Sequence, residues 1–150
     1  MVLEIRQICA DEAEAAAGLF IQVYKGAPWH ETWSFENARE RLKELSRTPN
    51  WIGVGVFKQA DLVGLSIGVP HTSAAGKTLY ISEIIVCPNH RRQGIGNRLM
   101  EAIQELAQER DYCSSWLVSQ SAGDLLKFYE NNRYVRSEHL SVYSRKFDKK

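Results

Sequence analysis

The chain has 150 residues, of which 44% are hydrophobic and 25% are charged. This length predicts a single domain spanning residues 1–150 with a sizeable core, and the composition excludes an intrinsically disordered chain. Lys and Arg number 19 against 18 Asp and Glu, giving a net charge of +1, which argues against a polybasic nucleic-acid-binding domain.

The N-terminal segment and the cysteines favour a cytoplasmic location. Residues 15–21 form the most apolar stretch, far shorter than the ~20 residues that a membrane helix needs. The N-terminus carries acidic residues from Glu4 onward and lacks the basic start of a signal peptide. Neither a disulfide framework nor a zinc site is suggested by the spacing of the three cysteines, Cys9, Cys87 and Cys113. We therefore expect no membrane contact and no metal.

The first third of the chain predicts one strand and two helices. Residues 3–6 alternate apolar and charged side chains, as a half-buried strand does. Asp11 and Glu14 form a helix-start signal, and the helix is expected to reach Lys25, before Gly26 and Pro28. Ser34 can cap a second helix, whose apolar stripe recurs at three- and four-residue steps: Phe35, Ala38, Leu42 and Leu45.

The connection between these helices is rich in aromatic and ionisable side chains. Exposed loops are where binding residues concentrate, so Trp29, His30 and Glu31 are candidate substrate contacts. The alternative is that Trp29 and Trp33 pack the two helices onto the sheet, because aromatic side chains are mostly core material. Both roles are compatible.

The rest of the chain alternates predicted strands and helices. Residues 51–57 and 62–69 predict a hairpin, residues 70–77 a loop, and the nearly continuous apolar run 78–86 a central strand. A helix with a clear apolar stripe follows from Ile95 to Asp111, then a strand at 113–119, a helix starting between Ser121 and Asp124, and two strands within 134–147. This order predicts an α/β domain with helices on both faces of a mixed sheet.

The segment 91–96, Arg-Arg-Gln-Gly-Ile-Gly, lies between the central strand and the long helix and favours an anion. A helix start carries unpaired N–H groups and a partial positive charge, and glycines let a phosphate approach the main chain. Arg91 and Arg92 add charged donors. The segment is neither a P-loop nor a dinucleotide fingerprint, since it lacks the Gly-Lys-Ser/Thr of the first and the third glycine of the second.

This R-x-x-G-x-G pattern after a strand ending at Val86 resembles the acyl-CoA loop of the GNAT N-acetyltransferase superfamily. Residues 128–134, FYENNRY, resemble its second signature, and the order of elements along nearly the whole chain matches as well. The segment 28–33, PWHETW, is similar to a pattern in a bacterial, aminoglycoside-acetyltransferase-like branch. The resemblance implies a mixed, mostly antiparallel sheet of six to seven strands, with central strands that splay apart around acyl-CoA.

The resemblance also implies an activity: acetyl transfer from acetyl-CoA to a primary amine, by direct attack in a ternary complex. Tyr129 occupies the position that protonates the departing thiolate, and the main chain of Val86 would polarise the thioester carbonyl. An alkylamine must lose a proton before it attacks, and Glu83, a carboxylate on an apolar strand, is the candidate base. The implied cofactor-binding residues are Ile85, Val86, Arg91, Arg92, Gln93, Gly94, Ile95, Gly96 and Asn97.

Three residues depart from the second signature of the family: Ala122, Leu125 and Arg133. Arg133 replaces a glycine that usually takes a left-handed conformation, so Asn132 is the candidate to host that turn instead. These changes affect the expected CoA contacts of the segment more than the fold.

The acceptor is the least determined part of this prediction. A small-molecule amine is the favoured acceptor, and a protein N-terminus or lysine is the alternative within the same class. A non-catalytic acyl-CoA sensor or interaction module is the alternative outside it, because a fold does not fix a function. Edge strands within 134–147 are compatible with a homodimer.

Overall fold

The computed structural model describes residues 2–121 and 123–149. Within them the chain forms five strands and five helices, in a mixed α and β arrangement. The order is β1 (Leu3–Gln7), α1 (Ala10–Glu14), α2 (Ala17–Lys25), α3 (Phe35–Ser46), β2 (Ile52–Lys58), β3 (Asp61–Ser73), β4 (Gly76–Val86), a short 3-10 turn (Pro88–His90), α4 (Ile95–Glu109), β5 (Ser114–Trp116) and α5 (Gly123–Asn131).

The strands form one sheet in the order β1-β2-β3-β4-β5. The pairs β1–β2, β2–β3 and β3–β4 are antiparallel and β5 runs parallel to β4, which confirms a mixed, mostly antiparallel sheet. The prediction of six to seven strands is wrong for the described residues, since the sheet there has five. Residues 134–147 form no strand: β5 offers a neighbour only three residues long, and Val135 and Tyr143 are 91% and 92% exposed.

Helices cover both faces of the sheet, as predicted. On one face α4 buries its apolar stripe against the sheet, with Ile95, Leu99 and Ile103 packed among side chains of β2 and β4. On the other face α1, α2 and α3 enclose a second core that includes Phe20, Leu42, Leu65 and Ile85. No helix in the described part of the chain is long and apolar enough to cross a membrane.

The first predicted helix is divided in two. The amide of Ala16 donates to the carbonyl of Ala13, 3.1 Å away, a three-residue step that tightens the chain between α1 and α2. The start also differs, because the Glu12 carboxylate accepts the Cys9 amide at 3.0 Å and caps α1 there. The Ser34 cap of α3 is confirmed, as its hydroxyl accepts the Asn37 amide at 3.0 Å.

Two further predictions about local structure are wrong. Phe35 does not belong to the buried stripe of α3, since it lies in the first turn and is 63% exposed. Residues 70–77 are not a loop: β3 and β4 continue as a hairpin to the pair Ser73 and Gly76. Pro70 is tolerated in β3 because β2 pairs with it only as far as Gly68, so that β3 beyond this residue has no β2 neighbour.

A β-bulge in β4 decides which face the candidate base occupies. Ile67 pairs with Glu83 but the next residue, Gly68, pairs with Ile81, so Ser82 is an extra residue on β4. The alternation of side chains reverses there: Ile81 packs in the α4 core, whereas Ile85 packs in the core beneath α1, α2 and α3. The bulge therefore places Glu83 on the face that α2 and α3 cover.

Candidate active site

Glu83 lies at the centre of a polar cluster built by three elements. Its side chain is 3% exposed, and each carboxylate oxygen has a partner from a different helix. The Tyr24 hydroxyl, near the C-terminal end of α2, donates to Oε2. The Arg41 guanidinium on α3 lies 2.9 Å from Oε1. Ser82 adds a longer contact, its hydroxyl 3.5 Å from Oε1. A buried carboxylate is tolerated when it is paired in this way.

Burial and these partners act on the Glu83 pKa in opposite directions. Burial raises the pKa, while the hydrogen bond from Tyr24 and the positive charge of Arg41 lower it, and the balance leaves the pKa above its ordinary value. Burial, followed by the nearby Glu83 charge, also raises the Tyr24 pKa, so the phenol remains a donor. A carboxylate with a raised pKa is suited to accept a proton near neutral pH.

A cavity of about 480 Å³ opens beside this cluster. The β4–β5 pairing covers only three residue pairs and stops at Tyr80 opposite Trp116. Beyond that point the strands no longer pair, and the space between them is lined by residues 80–84 on one side and 117–121 on the other. Residues 81–84 of β4 therefore border the cavity without a β5 neighbour, whereas Ile85 and Val86 are not among its lining residues.

Tyr129 on α5 lines the same cavity as Glu83. Its ring packs between Phe128 and Tyr134, at centroid distances of 5.1 and 6.2 Å. Burial raises the Tyr129 pKa, so the hydroxyl carries its proton at neutral pH. The structure thus brings the two predicted proton-transfer residues to one cavity from separate elements.

The 91–97 segment has the backbone geometry of an anion site. Gly94 caps α4 with φ +74°, and the first helical hydrogen bond runs from the Arg98 amide to the Gly94 carbonyl, 3.1 Å. The amides of residues 95–97 precede that bond and have no partner within the helix. The first turn of α4, all of it described, contains no acidic side chain, while Arg91, Arg92 and Gln93 are exposed. A side chain at Gly94 would project into space with no protein atom within 4 Å.

The side chains of several predicted cofactor-binding residues pack in the cores or contact other residues of the protein. Ile85 and Ile95 are each 1% exposed and belong to the two cores, so only their main chains can face a ligand. Gly96 lies close to α5, since a Cβ there would lie 3.0 Å from the Phe128 ring. The Asn97 side chain accepts a hydrogen bond from Asn132, 2.9 Å. Val86 is half-buried at the end of β4.

Of the predicted substrate contacts, Trp29 and Glu31 line the cavity and His30 does not. His30 is exposed, at a φ of +50°. The packing alternative is also partly right, because Trp29 and Trp33 pack against the α1–α3 core. Trp33 lines the cavity as well, and its indole N–H donates to Glu31 at 3.0 Å.

Sequence reasoning missed Tyr24 and Arg41 altogether. Arg41 stands beside the buried Leu42 among other charged residues of α3, and no local pattern separates it from them. Tyr24 follows the buried Val23 on α2, four residues before Pro28, which marks it only as a residue near the aromatic connection. Their role depends on the bulge that turns Glu83 toward them.

The structure describes two of the three residues that depart from the second signature, Arg133 and Leu125. Arg133 itself adopts the left-handed conformation, with φ +69°, so the prediction that Asn132 hosts the turn is wrong. Asn132 is held instead by hydrogen bonds from its side-chain amide to the Phe128 carbonyl and to Asn97, both 2.9 Å. Leu125 is half-buried on α5. Ala122 lies outside the described residues.

Comparison with known proteins matches residues 16–133 to the acetyltransferase (GNAT) family. The fold is similar to a soil-metagenome aminoglycoside acetyltransferase crystallised with sisomicin (TM-score 0.79, 17% identity, 97% of each chain). It is similar to a ribosomal-protein-alanine N-acetyltransferase from Brucella melitensis (TM-score 0.73, 19% identity, covering 97% of this chain and 100% of the other). It is also similar to an aminoglycoside N-acetyltransferase in complex with CoA (TM-score 0.75, 15% identity, covering 97% of this chain and 96% of the other). The search of curated proteins finds no match.

Proposed function

The chain belongs to the GNAT acetyltransferase family, whose members use acetyl-CoA, and from this we propose that it acetylates the primary amine of a small molecule by direct attack in a ternary complex. The observation that carries the proposal is that Glu83 and Tyr129, on different elements, line one cavity beside the unpaired end of β4. A base and an acid on the same cavity are what the reaction requires.

The residues present fit acetyl-CoA, which supplies an acetyl group activated as a thioester. The amides of residues 95–97, together with Arg91 and Arg92, would hold its pyrophosphate, in the open space over Gly94. The main chain of Ile85 and Val86 would border the pantetheine arm. An amide at this edge would donate to the thioester oxygen as negative charge develops on it.

Glu83 supplies the base in this proposal. An alkylammonium has a pKa near ~10.4, so the amine must lose a proton to become a nucleophile. Glu83 accepts that proton, directly or through one water. The nitrogen then forms the new C–N bond, the C–S bond breaks, and Tyr129 gives its proton to the departing sulfur. Tyr129 and Glu83 exchange protons with solvent afterwards, which restores both groups.

We expect Tyr129→Phe to lower kcat by about tenfold while the affinity for acetyl-CoA is retained. The effect is smaller than the ~10²–10⁴-fold typical of a proton transfer, because a thiolate with a pKa near ~8.5 leaves without full protonation. Steady-state rates of thiol release and the Kd of acetyl-CoA measure the two quantities. Tyr143→Phe is the control, since that ring is 92% exposed. An unchanged kcat would remove Tyr129 from the mechanism.

Arg41→Gln is expected to shift the acidic limb of the profile of kcat/KM against pH to higher pH. The Arg41 charge lowers the Glu83 pKa, so its removal raises that pKa, and the base is then ionised only at higher pH. Tyr24 and Ser82 also face the carboxylate and stay in place in the variant. Arg39→Gln, an exposed change on the same helix, is the control. A limb that does not move would contradict this role of Arg41.

The acetyl-CoA part of the proposal is tested by thermal unfolding. Ligand at 100 times its Kd stabilises the fold by about 2.7 kcal/mol, which raises the midpoint by several degrees in a domain of this size. A shift of this size supports the proposal, and an amine-dependent release of free thiol then completes the test. No shift at millimolar acetyl-CoA in a folded protein would overturn it.

A further inference from the structure

One wall of the cavity is a continuous row of aromatic rings. Trp29, Tyr24, Phe20 and Trp33 touch edge to face in that order, at centroid distances of 5.2, 4.7 and 4.7 Å. All four line the cavity, and Phe20 is only 1% exposed, so the row is anchored in the core. Edge-to-face contacts of this kind hold the rings in fixed positions. The wall is therefore rigid and largely aromatic.

The charge in the same cavity is small. Its described lining residues include two carboxylates, Glu31 and Glu83, and one guanidinium, Arg41. Glu83 is paired with Arg41 at 2.9 Å, so Glu31 is the one carboxylate among these residues without a cationic partner. The Trp33 indole donates to Glu31 at 3.0 Å and holds the carboxylate at the edge of the aromatic row.

A ligand that matches this cavity has one ammonium group and an apolar body. The ammonium is attracted by Glu31, and the body buries its surface against the row. A polyamine would bring several ammonium groups to a cavity with a single unpaired carboxylate, and each further ammonium group that is buried there lacks a compensating charge. Because Arg41 already neutralises the charge of Glu83, only Glu31 is left to balance an ammonium group in the cavity.

We propose that the acceptor is a monoamine with an apolar, preferably aromatic, body, and that polycationic amines such as aminoglycosides are poor acceptors. The inference rests on the proposed function and narrows it to one class of substrate. The observations behind this choice of acceptor are the aromatic row and the charge balance of the cavity.

The first test compares 2-phenylethylamine, n-butylamine and sisomicin as acceptors. We expect kcat/KM for 2-phenylethylamine to exceed that for n-butylamine by about tenfold to hundredfold, the gain expected from burying a ring. Sisomicin should be the poorest of the three. A kcat/KM for sisomicin equal to or above that for 2-phenylethylamine would overturn the inference and leave the proposed function intact.

Two variants test the residues. Trp29→Leu should remove most of the preference for 2-phenylethylamine over n-butylamine, whereas Phe35→Leu, an exposed ring on α3, should leave it unchanged. Glu31→Gln should raise KM for both monoamines, whereas Glu40→Gln, an exposed change on α3, should not. A preference that survives Trp29→Leu, or KM values that survive Glu31→Gln, would contradict the assignment.

Calorimetric titration of each amine into the protein separates this inference from the proposed function. If no amine releases thiol but 2-phenylethylamine binds the wild type tighter than the Trp29→Leu variant, the acceptor site stands and the proposed reaction fails. If 2-phenylethylamine neither binds the wild type, with or without CoA present, nor releases thiol, while acetyl-CoA still gives its thermal shift, the acceptor site is overturned.

Discussion

Replacement of Glu83 by Gln is expected to lower kcat by about 10²–10⁴-fold, the contribution usual for a positioned general base. Gln keeps the size of the side chain and an oxygen that accepts the Tyr24 hydrogen bond, but it cannot take a proton from the amine. The rate of thiol release with a saturating monoamine measures the effect. The acetyl-CoA affinity should stay the same, since Glu83 is not among the residues proposed to hold acetyl-CoA.

The fold of the Glu83→Gln variant is expected to be retained. The change removes a buried charge whose desolvation opposes folding, and it leaves Arg41 with 40% of its side chain in water. A midpoint of thermal unfolding within a few degrees of the wild type would therefore accompany the loss of activity. A variant with wild-type kcat across the pH range would show that Glu83 is a structural carboxylate and that the base lies elsewhere.

Gly94→Val is expected to abolish acetyl-CoA binding. The new side chain would fill the space over the first turn of α4, which no protein atom within 4 Å occupies and which the proposal assigns to the pyrophosphate. The left-handed φ of +74° adds strain of about 1–3 kcal/mol for a residue with a branched Cβ. Loss of the acetyl-CoA-dependent thermal shift measures the binding defect separately from the stability.

Gly76→Val provides the matched control for backbone strain. Gly76 also has a positive φ, +131°, but it lies in the β3–β4 hairpin, where a Cβ would make only an ordinary 3.5 Å contact with Cys113. This variant should lose stability and keep the full acetyl-CoA shift. A Gly94→Val protein that still binds acetyl-CoA with wild-type affinity would exclude the 91–97 segment as the phosphate site.

The features that sequence predicted best are those written in local patterns. The apolar stripe of α4, the Ser34 cap and the apolar run of β4 each depend on neighbours within a few residues, and all three appear in the structure. The 91–97 segment stays a prediction of an anion site, made from its glycines and arginines at a helix start. The predicted strands within 134–147 failed because a strand needs a partner, and β5 is too short to provide one.

The polar cluster around Glu83 could not be predicted in the same way. Its geometry depends on an extra residue in β4, Ser82, which reverses the alternation of side chains and turns Glu83 toward α2 and α3. Residue 82 is a serine, and no glycine or proline at that position marks a bulge in the sequence. Tyr24 and Arg41 are distant from Glu83 along the chain, so their contacts become visible only in three dimensions.

The most direct test of the proposed acetyl transfer is to incubate the protein with acetyl-CoA and 2-phenylethylamine and to analyse both products. Mass spectrometry would follow the amine, and a thiol reagent would follow free CoA. We expect N-acetylated amine and free thiol in equal amounts, with both formed at least about a hundredfold more slowly by the Glu83→Gln variant. Thiol released without acetylated amine, or a Glu83→Gln variant as active as the wild type, would contradict the proposed reaction.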